Sequence, residues 1–118
     1  GRKTWESLPI KPLPNRRNIV LSSSKQNKIE TFRSYQSCLN KLKHENVNKI
    51  FIIGGRSIYE MFYNQAMFLH ITKIHLLNSA IDEYFPIDMN DVKQNFIKIN
   101  TTKLSSQATY TLWKKNNQ

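Results

Sequence analysis

The chain has 118 residues, of which 39% are hydrophobic and 22% charged, enough for one core and too little for a second. That balance excludes a largely disordered polymer, and no apolar run approaches the ~20 residues that a membrane-spanning helix needs. The net charge of +10 fits an anionic partner, but the lysines are scattered rather than clustered, and a lysine-, asparagine- and isoleucine-rich bias often reflects the source genome; a small anionic molecule suits the charge better than nucleic acid.

Gly1-Arg2-Lys3 leads straight into Thr4-Trp5-Glu6 with no signal-peptide pattern, and a start at Gly rather than Met fits either a removed initiator or a partial sequence. Asn18-Ile19-Val20-Leu21-Ser22 is a short β-branched run bounded by Arg16-Arg17 and a serine cluster, and it reads as a buried strand. Ser34 then stands as an N-cap ahead of Tyr35, Cys38, Leu39 and Leu42, whose spacing of i, i+3, i+4 and i+7 makes one apolar stripe of a helix. Cys38 is the only cysteine, so no internal disulfide is available; a reducing compartment such as the cytoplasm suits it, and a small half-buried residue is the expected role.

Ile50-Phe51-Ile52-Ile53 reads as a second fully apolar strand, stopped by Gly54-Gly55. Arg56 to Tyr63 reads as a helix and Met67 to His75 as a strand with Leu69, Ile71 and Lys73 on one face. Phe96 to Ile99 and Thr109 to Trp113 alternate apolar with polar residues, which predicts an antiparallel hairpin connected through Lys103–Gln107, with Lys114–Gln118 frayed. The sum is an α/β fold: a mostly parallel central sheet flanked by helices, closed by an antiparallel C-terminal hairpin.

Three segments, in order and spacing, resemble one family. Gly1-Arg2-Lys3-Thr4-Trp5-Glu6-Ser7-Leu8-Pro9 followed by Pro12-Leu13-Pro14-Asn15-Arg16-Arg17-Asn18 closely resembles the dihydrofolate reductase stretch G-[RK]-x-T-W-x-S-[IL] and R-P-L-x-x-R-x-N. Ile52-Ile53-Gly54-Gly55-Arg56-Ser57-Ile58-Tyr59 is similar to its [IV]-x-G-G-x-x-[IV]-Y, and Thr72 with Asp82-Glu83-Tyr84-Phe85-Pro86 resembles its T-x-I and D-[TK]-x-[FY]-P segments. The resemblance spans most of the chain and implies a partial dihydrofolate reductase domain over residues 1–118, incomplete at the N-terminus. Ile10 lengthens one loop relative to short bacterial-type members, and Glu83 departs from the Thr common after the Asp.

The resemblance implies NADPH as cofactor. Arg2, Lys3 and Thr4 would face its phosphates, with Arg2 and Lys3 near the 2′-phosphate; a solvated basic N-terminus is the plain alternative. Leu21 would pack near adenine, with Ser22, Ser23 and Arg33 beside the adenosine and its phosphate, although serines after a strand also make ordinary turns. Gly54 and Gly55 would let the backbone approach the cofactor and are expected to share a cis peptide bond, where an ordinary strand-to-helix turn is the alternative. Arg56, Ser57, Ile58 and Tyr59 follow on the same side.

For the substrate, dihydrofolate, the resemblance places Leu8 and Leu13 around the p-aminobenzoyl ring and Arg16 on the α-carboxylate, a bidentate task that suits a guanidinium. Ile53 and Tyr59 would line the space around pterin and nicotinamide, and Thr72 would support the acid that promotes protonation. That acid and the loop closing over nicotinamide belong to family segments preceding the G-R-K-T-W motif, so no residue here is assigned the catalytic role and the isolated 118 residues are expected to be inactive and poorly folded. The whole protein is expected to be a cytoplasmic monomer with no metal and no membrane attachment. A truncated, non-catalytic nucleotide- or partner-binding protein of the same fold is the alternative; the reductase domain of riboflavin biosynthesis fits less well, because it usually lacks the Pro12–Arg16 pattern.

Overall fold

A computed structural model describes residues 1–75 and 86–116, which form two compact units, Gly1–Met61 and Phe62–Gln118. The first opens with α1 (Arg2–Ser7), begun by the bond from Trp5 N to Gly1 O and ended at Leu8, which turns to extended backbone. A loop containing a cis Lys11–Pro12 bond leads to β1 (Ile19–Leu21), whose Val20 is buried. β1 pairs in parallel with β2 (Glu30–Phe32), placing Ile19 opposite Glu30 and Leu21 opposite Phe32.

Ser34 caps α2 (Tyr35–His44) as expected: its Oγ accepts the Ser37 N–H at 3.1 Å, satisfying a donor that the first turn leaves free. Cys38 and Leu42 are buried on one side, and Lys41, Lys43 and His44 crowd the last turn, where positive charge suits the helix dipole. Asn46, in the left-handed region at φ 58°, reverses the chain, and Val47 N returns to Leu42 O. α3 (Arg56–Phe62) starts directly after Gly55 and runs into a 3₁₀ turn at Tyr63–Gln65.

The expected strand at 50–53 is not in a ladder. Ile50, Phe51 and Ile53 are 45%, 64% and 51% exposed. A run that is apolar on both faces becomes a buried strand only with neighbours along its edges and layers over its faces. Among the described residues no strand pairs with it.

The second unit is an antiparallel sheet in the order β3 (Phe68–Ile74), β5 (Ala108–Lys115), β4 (Phe96–Ser105). α4 (Met89–Asn95) leads into β4; Asp88 caps it by accepting the Asn90 N–H at 2.8 Å. Val92, Phe96 and Trp113 form the core, with Tyr63, Ala66, Leu69, Ile71 and Ile87 packed on it. The Trp113 indole N–H donates to Thr111 Oγ1 at 2.9 Å, so the ring is buried with its polar atom satisfied.

Two expectations for the tail change. The hairpin is longer than the alternation suggested, with only Ser106 and Gln107 between paired Ser105 and Ala108 and register shifts around Ile99 and Leu104. Lys114, Lys115 and Asn116 are not frayed: Lys115 N donates to Met67 O, its Nζ to Asn64 O, and Asn116 N to Asn95 O. Backbone hydrogen bonds hold this end where its side-chain composition alone argues for solvent. The architecture is thus α/β with an antiparallel C-terminal hairpin, and the parallel pairing among the described residues is β1 with β2.

Candidate functional site

Three groups of expected site residues lie in the first unit. The first joins the start of α1 to the glycine pair. The Gly1 nitrogen donates to Gly54 O at 2.8 Å. A Cβ on Gly55 would stand 3.5 Å from Thr4 Oγ1, and one on Gly1 would stand 3.4 Å from Ile58 Cγ1. Residues more than fifty positions apart therefore meet, and the backbone starts of α1 and α3 lie side by side.

The Gly54–Gly55 peptide is cis, and Gly54 sits at φ +112°. That value lies in the region only glycine adopts readily, and the Tyr59 ring occupies the space a side chain would need, with atoms at 3.2 and 3.3 Å. Tyr59 is half-buried, and burial raises its hydroxyl pKa. Ile58 is buried towards α1, whereas Ile53, Arg56 and Ser57 are exposed. Arg2 pairs with Glu6 at 2.9 Å and Arg56 with Glu60 at 3.6 Å, both one helical turn away, and Lys3 is exposed.

The second group stands at the end of the β1–β2 pair. Leu21 is opposite Phe32, and Ser22 N donates to Phe32 O at 3.0 Å, so Ser22 and Arg33 leave the ladder at the same end. Ser22 Oγ accepts from Ser24 N and from Gln26 Nε2, both at 3.3 Å, while Ser23 and Arg33 are exposed. Sequence reasoning missed β2, which is the reason that Arg33 comes beside the serines, and it missed Gln26.

The third group is the loop from Leu8 to Asn18. Leu8 and Leu13 are half-buried, and Arg16 is exposed with its Nε donating to Pro14 O at 2.8 Å. Arg16 and Arg17, equivalent by type, differ sharply in surroundings. Arg17 reaches Glu30 through two bonds, Nε to Oε1 at 2.7 Å and Nη2 to Oε2 at 2.6 Å, and reaches Glu45 as well. Arg16 has no ion pair among the described residues. A free guanidinium can accept a ligand carboxylate; one already held by two carboxylates cannot without losing them.

Thr72 lies in the second unit on β3, exposed and opposite Tyr110. Asp82-Glu83-Tyr84-Phe85 falls outside the described residues. Among the described residues no group of His, Cys, Asp and Glu is arranged to hold a metal ion, and no helix is long and apolar enough to cross a membrane.

The family model for dihydrofolate reductase matches residues 1–115. A dihydrofolate reductase of Candida albicans is 45% identical over 78 residues, 60% of this chain and 40% of the relative. One from Neisseria meningitidis serogroup A is 40% identical over 89 residues, 73% and 53% of the two chains. One from Ureaplasma parvum is 36% identical over 107 residues, 82% and 67%. The chain spans about half the length of the curated relatives it matches.

Proposed function

The chain belongs to the dihydrofolate reductase family, and on that premise we propose that the whole protein reduces 7,8-dihydrofolate to tetrahydrofolate with NADPH, this segment supplying most of the cofactor contacts and the carboxylate end of the substrate site. The observation that carries the reading is the meeting of α1 with Gly54–Gly55. Two short helix starts and a side-chain-free backbone give donors and close approach at one place, which suits a phosphate-bearing ligand.

The residues present fit such a ligand. Ser22 and Arg33 share one end of the β1–β2 ladder, where a hydroxyl and a guanidinium suit a ribose phosphate. Among the described residues Arg2 and Arg56 are held by exposed pairs on their own helices, which are worth little and release easily to a phosphate. NADPH, when bound, supplies the hydride. The chain's own residues bind and orient: Thr4, Gly54 and Gly55 hold the phosphates, Leu8 and Leu13 cover the p-aminobenzoyl ring, and Arg16 receives the α-carboxylate. Ile53 and Tyr59 border the ring system, and Thr72 supports the acid contributed by the rest of the protein. The same reading takes the whole protein as a cytoplasmic monomer whose surplus of positive charge serves anionic small molecules rather than nucleic acid.

The test is an assay of the whole protein for dihydrofolate-dependent oxidation of NADPH, with Arg16→Leu beside it. The wild type turns over, and Arg16→Leu raises the KM for dihydrofolate more than tenfold, the loss of a charge-assisted bidentate contact worth about 1.5–3 kcal/mol. A correctly folded whole protein without turnover overturns the proposal.

A further inference from the structure

We infer that Asn18 is a positioning residue for substrate recognition, holding Leu13 and Arg16 in the geometry that receives the tail of the folate. The inference rests on the reading in which Arg16 takes the α-carboxylate. The loop from Leu13 to Arg17 belongs to no helix or strand and is largely exposed, so packing does little to hold it. The Asn18 side chain does. Asn18 Oδ1 accepts the Leu13 N–H at 2.8 Å, and its Nδ2 donates to Leu13 O at 3.0 Å and to Arg16 O at 2.9 Å. The amide thus uses its acceptor and both kinds of donor contact on two residues of the loop it closes, and no other side-chain type presents that set at this length.

The rest of the loop agrees with this function. Asn15 reverses the chain at φ 62°, a left-handed conformation that Asn tolerates better than most residues. Arg17 is anchored to β2 through Glu30 and to the end of α2 through Glu45, so the chain is held on both sides of Arg16. Arg16 then spends its Nε on Pro14 O, which leaves Nη1 and Nη2 as an end-on fork for a carboxylate. Holding that fork before the ligand arrives removes ordering cost from binding. Asn18 touches neither substrate nor cofactor in this arrangement; it acts through Leu13 and Arg16.

The experiment compares, in the whole protein, kcat/KM for dihydrofolate with kcat/KM for a dihydropterin lacking the benzoylglutamate tail. The variants are Arg16→Leu, Asn18→Ala, Asn18→Asp and the double variant Arg16→Leu/Asn18→Asp. Asn18→Asp keeps the acceptor for Leu13 N–H and loses both donor contacts, so it decides the matter where Asn18→Ala does not fold. The dihydrofolate-to-dihydropterin ratio should fall about tenfold in each Asn18 variant, through KM rather than kcat. In the Arg16→Leu background the Asn18 change should lower the ratio by much less, because the residue it positions is already gone. A purely structural role would lower both substrates equally and leave the ratio unchanged; that result overturns the inference while the proposed function stands. A ratio unaffected by Arg16→Leu itself removes the substrate assignment and the inference with it.

Discussion

The Tyr59 hydroxyl lies 3.2 Å from where a Cβ on Gly54 would stand, and two further ring atoms lie at 3.3 Å. The contact is with the body of an aromatic ring, which cannot swing aside as the end of a long side chain can. Gly54 also sits at φ +112°, so an alanine there meets backbone resistance as well as the ring. Gly54→Ala should cost about 1–3 kcal/mol in the whole protein, read from chemical denaturation. Tyr59→Phe should not rescue it, since the ring atoms remain. Gly55→Ala, whose Cβ would meet Thr4 Oγ1 at an ordinary 3.5 Å, should be milder by the same measure.

Acid should weaken the attachment of β2. The Arg17 guanidinium holds the Glu30 carboxyl below its ordinary range, while the paired Arg17 is raised and stays charged at any accessible pH. A carboxyl whose pKa is lower folded than unfolded adds stability that is present above the unfolded value. That stability disappears as pH falls through the folded one. Glu30→Gln should therefore lower the urea midpoint at pH 7, and the gap from wild type should close as the pH falls below the ordinary glutamate range. Both partners are partly exposed, so the effect is small and fades in high salt. A gap that widens on acidification would contradict the assignment.

Local signals carried much of the fold. Ser34 with Cys38 and Leu42 announces α2 completely, because a cap and an apolar stripe are properties of neighbouring residues. β2 was not legible: Glu30-Thr31-Phe32 is three residues with one large apolar side chain, and only its pairing with β1 makes it a strand. α4 escaped for a related reason, since Val92 is the only buried residue in a polar segment and the Asp88 cap was the one cue. Ile50–Ile53 failed in the opposite direction. Its composition fits a buried strand, yet a strand is defined by its ladder, and among the described strands none pairs with it. In the site, the family patterns marked the glycines and Arg16. What separates Arg16 from Arg17 is Glu30 and Glu45, thirteen and twenty-eight positions further on, and no spacing rule in the loop encodes them.

Phe96 and Ile97 are adjacent on β4 and should respond oppositely to truncation. Phe96 is 3% exposed against Val92 and Trp113, and Ile97 is 55% exposed. Phe96→Ala should cost about 3–5 kcal/mol and Ile97→Ala within about 0.5 kcal/mol, by denaturation of the whole protein followed through Trp113 fluorescence. Equal losses at the two positions would mean that contact with Val92 and Trp113 is not what sets the packing of β4.

Glu6 and Arg2 provide the last prediction, which separates cofactor binding from stability. Their 2.9 Å pair joins side chains 53% and 46% exposed, one turn apart on α1. Such a pair contributes about 0.2–0.5 kcal/mol to a helix, so Glu6→Gln should leave the denaturation midpoint nearly unchanged. It also frees the Arg2 guanidinium, which the family resemblance directs to the 2′-phosphate that distinguishes NADPH from NADH. Glu6→Gln should therefore tighten NADPH relative to NADH, and Arg2→Gln should do the reverse, each effect shrinking as salt screens the charges. Titrating both coenzymes at low and high salt decides it, because a change common to both coenzymes would place Arg2 away from the phosphate that sets the preference.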